Sequence, residues 1–349
     1  MSFYNNGIPS PYSNYDQDPE DAGMGGMAAP ANDNDITVSV HPHLQQGEYQ
    51  LSDCQGRKRA LLIGINYIGT ENELNGCIND VHNLKNFLIT LYGFKEEDMV
   101  ILTDDQTDEK MIPTRSNIIA AMKWLVDDAQ QNDSGHGGSV VDVSGDETDG
   151  FDETIYPIDH DQYEGTLGQI LDDDMHELLV APLPAGCRLT AIFDSCHSGT
   201  ALDLPYVYST KGVIKDDNLF KAATKGLVSA GLAYAQGDRE GAMESIRDLG
   251  HQLITTRFKE ASNRQAYSSP ADVVMFSGCK DDQTSADAQE GGKATGAMSY
   301  AFTTTLRDNP NQTYQELLNS IRDILSTGYS QRPQLSSSHP LDVESLFVC

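Results

Sequence analysis

The chain is short of positive charge. Its 349 residues hold 23 Lys or Arg against 53 Asp or Glu, giving a formal net charge of −30 and a pI of about 4.4. That balance speaks against nucleic acid or an anionic membrane surface as a partner and favours a cation or a basic peptide. The deficit is uneven: between Trp124 and Cys187 stand sixteen acidic residues and no Lys or Arg. Such a block is either a solvated face or a place where a cation binds. No apolar run approaches the roughly 18 residues of a membrane-spanning helix, and no secretory leader is visible. Ser2 is incompatible with N-myristoylation, and the terminal LFVC is not a prenylation box because its Cys is the last residue. The six cysteines, at 54, 77, 187, 196, 279 and 349, contain no CxxC pair. They suggest neither a zinc ribbon nor a disulfide framework, and fit reduced thiols in a cytoplasmic or nuclear setting. The length suits one large domain with a tail, or two small ones.

Against these absences, two short strings stand out: GHGG at 135–138 and DSCHSG at 194–199. The second follows Leu189, Ala191, Ile192 and Phe193, a run that reads as a buried strand ending at Asp194. A Cys just past a strand end, among small polar residues, stands where α/β sheets build active sites. A thiol needs a base to become a thiolate at neutral pH, and an imidazole is the usual one. Cys196 and His136 are therefore the candidate dyad. The alternative, a buried hydrophobic Cys and an unrelated His, does not account for the polar loop of Ser195, His197, Ser198 and Gly199.

Residues 1–55, rich in Asn, Tyr, Gly, Pro and Asp, read as a flexible tail. Order begins at 57–67, where Ala60 to Ile65 predict a fully buried strand. Val81, Leu84, Leu88 and Leu91 mark one helix face; Met99 to Thr103 a strand; and Ile118, Met122, Leu125 and Ala129 a helix over 116–131, capped near Thr114 or Ser116. A short helix over 175–181, strands at 187–194 and 272–278, a Lys-bearing helical stretch over 216–265, and helices at about 297–307 and 314–326 follow. Strands alternating with helices predict an α/β fold: a mainly parallel central sheet with helices on both faces.

At this point the chain resembles a type I metacaspase of the fungal type, in the caspase-like cysteine peptidase clan. The resemblance covers roughly 57–349. It rests on ALLIGINY, LNGCINDV (74–81), SGHGG (134–138), DDDMHELL (172–179), AIFDSCHSG (191–199), LDLPYVYSTKG (202–212), MFSGCKDDQTSAD (275–287) and RPQLSSS (332–338), in that order. It implies a disordered pro-domain (1–55) and a caspase-like peptidase domain (56–349). Within that domain it implies a large-subunit-like part to about 210, a linker over 211–226 and a small-subunit-like part to 349. The implied activity is calcium-activated cleavage of protein or peptide substrates after Arg or Lys by a monomer, with no nucleic acid or membrane partner. Carried over, Cys196 is the nucleophile and His136 the base, while Asp80, Ser134 and Asp194 hold the basic P1 side chain. Calcium falls to Asp152, Asp172, Asp173 and Asp203, and autoprocessing to Lys211, Lys215, Lys221 or Lys225. Charge chemistry agrees in part: a carboxylate pair recognises guanidinium or ammonium through charge-assisted bonds, and a hard cation takes several carboxylate oxygens. GDETDGFDE (145–153) lacks the EF-hand register.

One departure stands out. In the family the catalytic His follows a short hydrophobic strand of the type LFLHYSGHG. Here helix 116–131 runs through Gln130, Gln131, Asn132 and Asp133 straight into Ser134-Gly135-His136, about six residues short. A gene-model error, a helix that unwinds to lend Lys123 to Val126 as strand, and a degraded site are the open explanations. The helical periodicity of 116–131 favours omission of the strand over borrowing, with His136 misplaced. A non-catalytic member acting in aggregate handling or scaffolding, and a simple calcium-binding acidic protein, are the alternatives to an active peptidase.

Overall fold

The computed structural model describes residues 49–140, 154–194, 201–209, 211–212, 267–278, 287–290, 293–327 and 332–349. The tail to 48, Asp152, Cys196, Lys215, Lys221, Lys225 and nearly all of the linker lie outside the described residues.

The frame is a seven-stranded sheet in the order β2-β1-β3-β6-β8-β11-β7. β1 (Lys58–Gly64), β2 (Met99–Thr103), β3 (Ser134–Val140), β6 (Arg188–Phe193) and β8 (Asp272–Ser277) run parallel, as the alternation of elements predicts. β11 (Gln334–Ser337) pairs antiparallel with both β8 and β7 (Tyr206–Tyr208). Two small hairpins complete the strands, β4 (Thr154–Ile155) with β5 (Ile170–Leu171) and β9 (Asp287–Glu290) with β10 (Lys293–Gly296).

Each face of the sheet carries its own core. On one, α1 (Cys77–Tyr92), α4 (Ala297–Asp308) and α5 (Tyr314–Ser326) pack Leu84, Phe87, Phe302 and Leu317 over Ala60, Leu62, Ile192 and Phe276. On the other, α2 (Arg115–Val126) and α3 (Asp172–Met175, continued as a π turn to Val180) pack Ile118, Met122, Met175 and Leu179 over Leu61, Ile63, Leu189 and Val273. The helices begin and end for local reasons. Thr114 caps α2 through the Asn117 amide, Thr313 and Glu316 form a reciprocal capping box on α5, and Gly93 closes α1 in the left-handed region at φ 70°.

The strand expected to be missing is present, and its origin is the main correction to the sequence reading. It is neither omitted nor borrowed from α2, which stays helical to Val126. The SGHGGSV motif itself enters the sheet, with seven residues in register against β1 and six against β6. A turn at 127–133 delivers it, with Asp128 and Asn132 at φ 54° and 68°. The turn is pinned on both sides: Gly56 N–H donates to Asn132 O (2.8 Å), Asn132 N–H to Gly186 O (2.7 Å), and Arg57 N–H to Asp133 Oδ1 (2.8 Å). A central strand left out would orphan a column of backbone donors and acceptors on each neighbour. Filling that column with glycines loses side-chain packing but keeps the ladder. The loss is visible beneath Gly137, where an apolar cavity of about 30 Å³ is bounded by Leu61, Ile63, Met122, Leu125, Leu189 and Phe193.

Candidate active site

Two of the predicted pocket residues meet. Asp80 lies in the first turn of α1, and Asp194 directly follows β6. Both are buried, at 1% and 3% exposure. Asp194 takes the Met298 amide on Oδ1 (3.0 Å) and the Ser299 amide on Oδ2 (2.7 Å), so it caps α4 from a distant part of the chain. Asp80 Oδ2 accepts the Gly296 amide. Gly296 is the point both acids border: a Cβ there would lie 2.2 Å from Asp194 Oδ2 and 3.0 Å from Asp80 Oδ2. A pair of like charges is thus steadied by three backbone amides at the start of a helix, where the dipole favours negative charge.

Ser134 does not join them. It opens β3, in register with Lys58 and Arg188, whereas Asp194 follows the opposite end of β6. The Ser134 hydroxyl is buried among the strand starts, beside the Cys54 thiol.

His136 is displaced with it. It pairs with Ala60 and Thr190 in the body of the sheet, three residues below the Ser139–Phe193 rung, or about 10 Å at strand rise. It is 0% exposed, its ring meets Phe94 edge-on at 6.3 Å, and among the described residues neither Nδ1 nor Nε2 has a partner. Burial, with the Arg188 charge adding to it, pushes its pKa down to about 3. In this position it is a neutral core side chain. Cys196, which it is expected to approach, lies outside the described residues.

Three of the four carboxylates expected to hold calcium act electrostatically on one phenol. The charges of Asp173, then Asp203, and more weakly Asp172, raise the pKa of Tyr267. The Tyr267 hydroxyl lies 3.5 Å from Asp173 Oδ1. Asp172 Oδ1 is taken by the Asp173 amide (2.9 Å), and Asp203 adopts φ 48°. The donors are hard oxygens, as calcium requires. Among the described residues, though, no group of three or more His, Cys, Asp or Glu stands in a metal-holding arrangement. Asp152 is outside them. Lys211, the one described processing candidate, is exposed just beyond β7.

The sequence reading missed two features. One is a buried network at the strand starts: Arg188 donates to Asp272 Oδ1 (2.8 Å), Thr190 Oγ1 (3.1 Å) and the Tyr314 hydroxyl, and His339 Nε2 lies 3.1 Å from Asp272 Oδ1. The other is the α4 terminus at Asp194. Gly296 offers that helix no side-chain cap, and a helix start lacking Ser, Thr, Asp or Asn is a signal that the cap comes from elsewhere.

Comparison with known proteins agrees with this architecture. A family profile described as "Metacaspase, peptidase C14 domain" matches residues 58–205. Metacaspase-1 of Cryptococcus neoformans var. neoformans serotype D (strain JEC21) is 54% identical over 338 residues, covering 93% of this chain and 73% of that one. The chain belongs to the metacaspase family. Metacaspase-1 of Schizosaccharomyces pombe is 55% identical over 310 residues, 86% of this chain and 72% of the relative. Metacaspase-1 of Pyricularia oryzae is 57% identical over 305 residues, 86% and 76%. The family is one of caspase-like, cysteine-type endopeptidases acting on proteins.

Proposed function

We propose that this metacaspase is a calcium-dependent endopeptidase directed at Arg and Lys, and that in the described state its turnover is low because its base is held inside the sheet. The basic specificity is supported by the buried Asp80–Asp194 pair, whose charge suits a guanidinium or ammonium at P1. Cys196, two residues past Asp194, would attack the carbonyl after the basic residue. His136 would take the thiol proton and return it to the leaving amine, and amides near Gly137 and Cys196 would hold the oxyanion. Calcium would be held by Asp152, Asp172, Asp173 and Asp203 and would neutralise their mutual repulsion. Lys211, Lys215, Lys221 and Lys225 are the autoprocessing positions this specificity would select.

The observation that carries the low turnover is the place of His136, mid-strand and without a hydrogen bond. Raising it to the sheet end means sliding β3 along its neighbours. A slide of three residues also turns every side chain to the opposite face, and it draws Asp133 and Asn132 between β1 and β6. Burying an unpaired carboxylate there is costly. The second reading, a metacaspase-fold protein acting in aggregate handling or scaffolding, is favoured by the same burial.

A fluorogenic peptide with Arg at P1, assayed with and without calcium, tests both. We expect calcium-dependent turnover that Cys196→Ala removes. Inserting six apolar residues ahead of Ser134 should raise it about 100-fold, the scale of a misplaced catalytic group. No turnover before or after insertion would leave the scaffolding reading; full turnover without it would show that His136 is not limiting.

A further inference from the structure

Next to the acid pair lies a third polar group that the proposed chemistry has not used. Ser299 is 3% exposed, and among the described residues its Oγ has no hydrogen-bond partner. Its own amide holds Asp194 Oδ2 at 2.7 Å, which fixes the Ser299 backbone against that carboxylate while the hydroxyl itself does not bond it. A buried hydroxyl without a partner is a cost the folded chain carries. It is easily avoided: Ala at this position would keep the amide bond to Asp194, since the side chain takes no part in it.

We propose that Ser299 is a specificity-determining residue of the basic pocket, its hydroxyl accepting an N–H of the P1 guanidinium alongside Asp80 and Asp194. The inference rests on the basic-pocket reading above and adds to it a residue and a preference. A guanidinium brings five N–H donors in a fixed plane, an ammonium three rotatable ones. Asp194 already spends one acceptor site on each oxygen, and Asp80 spends one on Gly296. A flat five-donor group spreads its N–H groups around the guanidinium plane, and a hydroxyl on the α4 turn adds an acceptor separate from the two carboxylates. An ammonium is satisfied without it. The pocket therefore prefers Arg to Lys, and Ser299 sets the margin. All three residues are almost fully covered, and the Ser299 hydroxyl is an unmet acceptor that a bound Arg would satisfy.

Titration calorimetry of the full chain with arginine amide, lysine amide and norleucine amide tests this, and needs no catalytic turnover. The wild type should bind arginine amide most tightly and norleucine amide undetectably. Ser299→Ala should weaken arginine amide tenfold or more, the scale of a hydrogen bond to a charged group, and lysine amide less than threefold. The same variant should melt no lower, and up to a few degrees higher, because it sheds an unpaired buried hydroxyl. Unchanged arginine amide affinity in Ser299→Ala, with affinity lost in Asp80→Asn, would overturn the role of Ser299 and leave the basic pocket standing. Unchanged affinity in Asp80→Asn, or no binding by the wild type, would overturn both. A lower melting temperature in Ser299→Ala would show the hydroxyl to be structural and would also overturn the proposal.

Discussion

β3 and β6 lie side by side in the middle of one sheet, and each buries an ionisable side chain on the same face. They handle it in opposite ways. Arg188, at the start of β6, is 1% exposed, yet its guanidinium is bonded to Asp272, Thr190 and Tyr314 and lies over the rings of Tyr314 and Phe347. His136, one strand away, is equally buried and bonded to nothing. The first pattern is how a fold keeps a charge in its core: the desolvation penalty is met by a counter-charge and hydrogen-bond partners on all three guanidinium nitrogens. The second fits a side chain placed in the core by its neighbours in sequence rather than selected for that position. The acids at the other end of β6 repeat the first pattern, with Asp194 and Asp80 held by backbone amides. Among the described residues the buried charged groups are partnered in this way, and the imidazole carried into the sheet by the glycine motif is not.

The sharpest test of that contrast removes a partner from the well-served group. Arg188→Ala leaves Asp272 buried without its principal counter-charge. Burial pushes the Asp272 acid up, but Arg188, with His339, overcomes this and holds it at about 2. Breaking a buried pair from one side typically costs about 3–5 kcal/mol. Urea unfolding of Arg188→Ala should show a loss of that size. A loss under about 1 kcal/mol would mean the network is not what supports β6.

The opposite sign is expected at His136. His136→Leu keeps the bulk and removes two unpaired polar atoms, each of which costs on the order of 1–3 kcal/mol when buried. The variant should be more stable at pH 7 by an amount in that range. It should also lose a pH dependence. The folded pKa of His136, about 3, is below the 6.5 of an unfolded His, so between these values the unfolded chain binds the extra proton. Stability is therefore complete above about pH 6.5 and falls as pH drops toward 3, by up to about 1.4 kcal/mol per pH unit. Asp272 contributes only from about pH 4 downward, as its carboxyl is driven toward 2. Urea midpoints at pH 7 and pH 5 therefore isolate His136. A wild type no more acid-sensitive than His136→Leu over that interval would show the imidazole to be hydrated or paired.

This contrast also explains what the sequence could and could not reveal. β2 and α5 were legible to the residue, and β1, β6, β8 and α4 to within one or two, because apolar runs and 3.6-residue periodicity fix them. Asp80 and Asp194 were legible as a pair from the family strings. β3 was not, because no propensity scale marks SGHGGSV as a central strand. Its place is imposed by the unfilled hydrogen bonds of β1 and β6, a demand written in two other segments. The distant capping of α4 by Asp194 and the Arg188 network were hidden for the same reason: their partners lie 104 and 84 residues apart.

The smallest effect lies within β3 itself and asks whether its glycines are equivalent. A Cβ on Gly137 would meet no atom within 4 Å, whereas one on Gly138 would come within 2.6 Å of Leu84 Cδ2. Gly137→Ala places a methyl toward the apolar cavity and restricts the unfolded chain, for a gain of about 0.5–1 kcal/mol. Gly138→Ala must move Leu84 out of a packed core position, which costs about 1–3 kcal/mol when a core is overfilled. Both substitutions add the same atoms to the same strand, so strand propensity cancels and the difference reports packing alone. Thermal melts should rise for the first and fall for the second. If both rose together, the two faces of β3 would be equally loose, and the burial of His136 would owe nothing to tight packing around it.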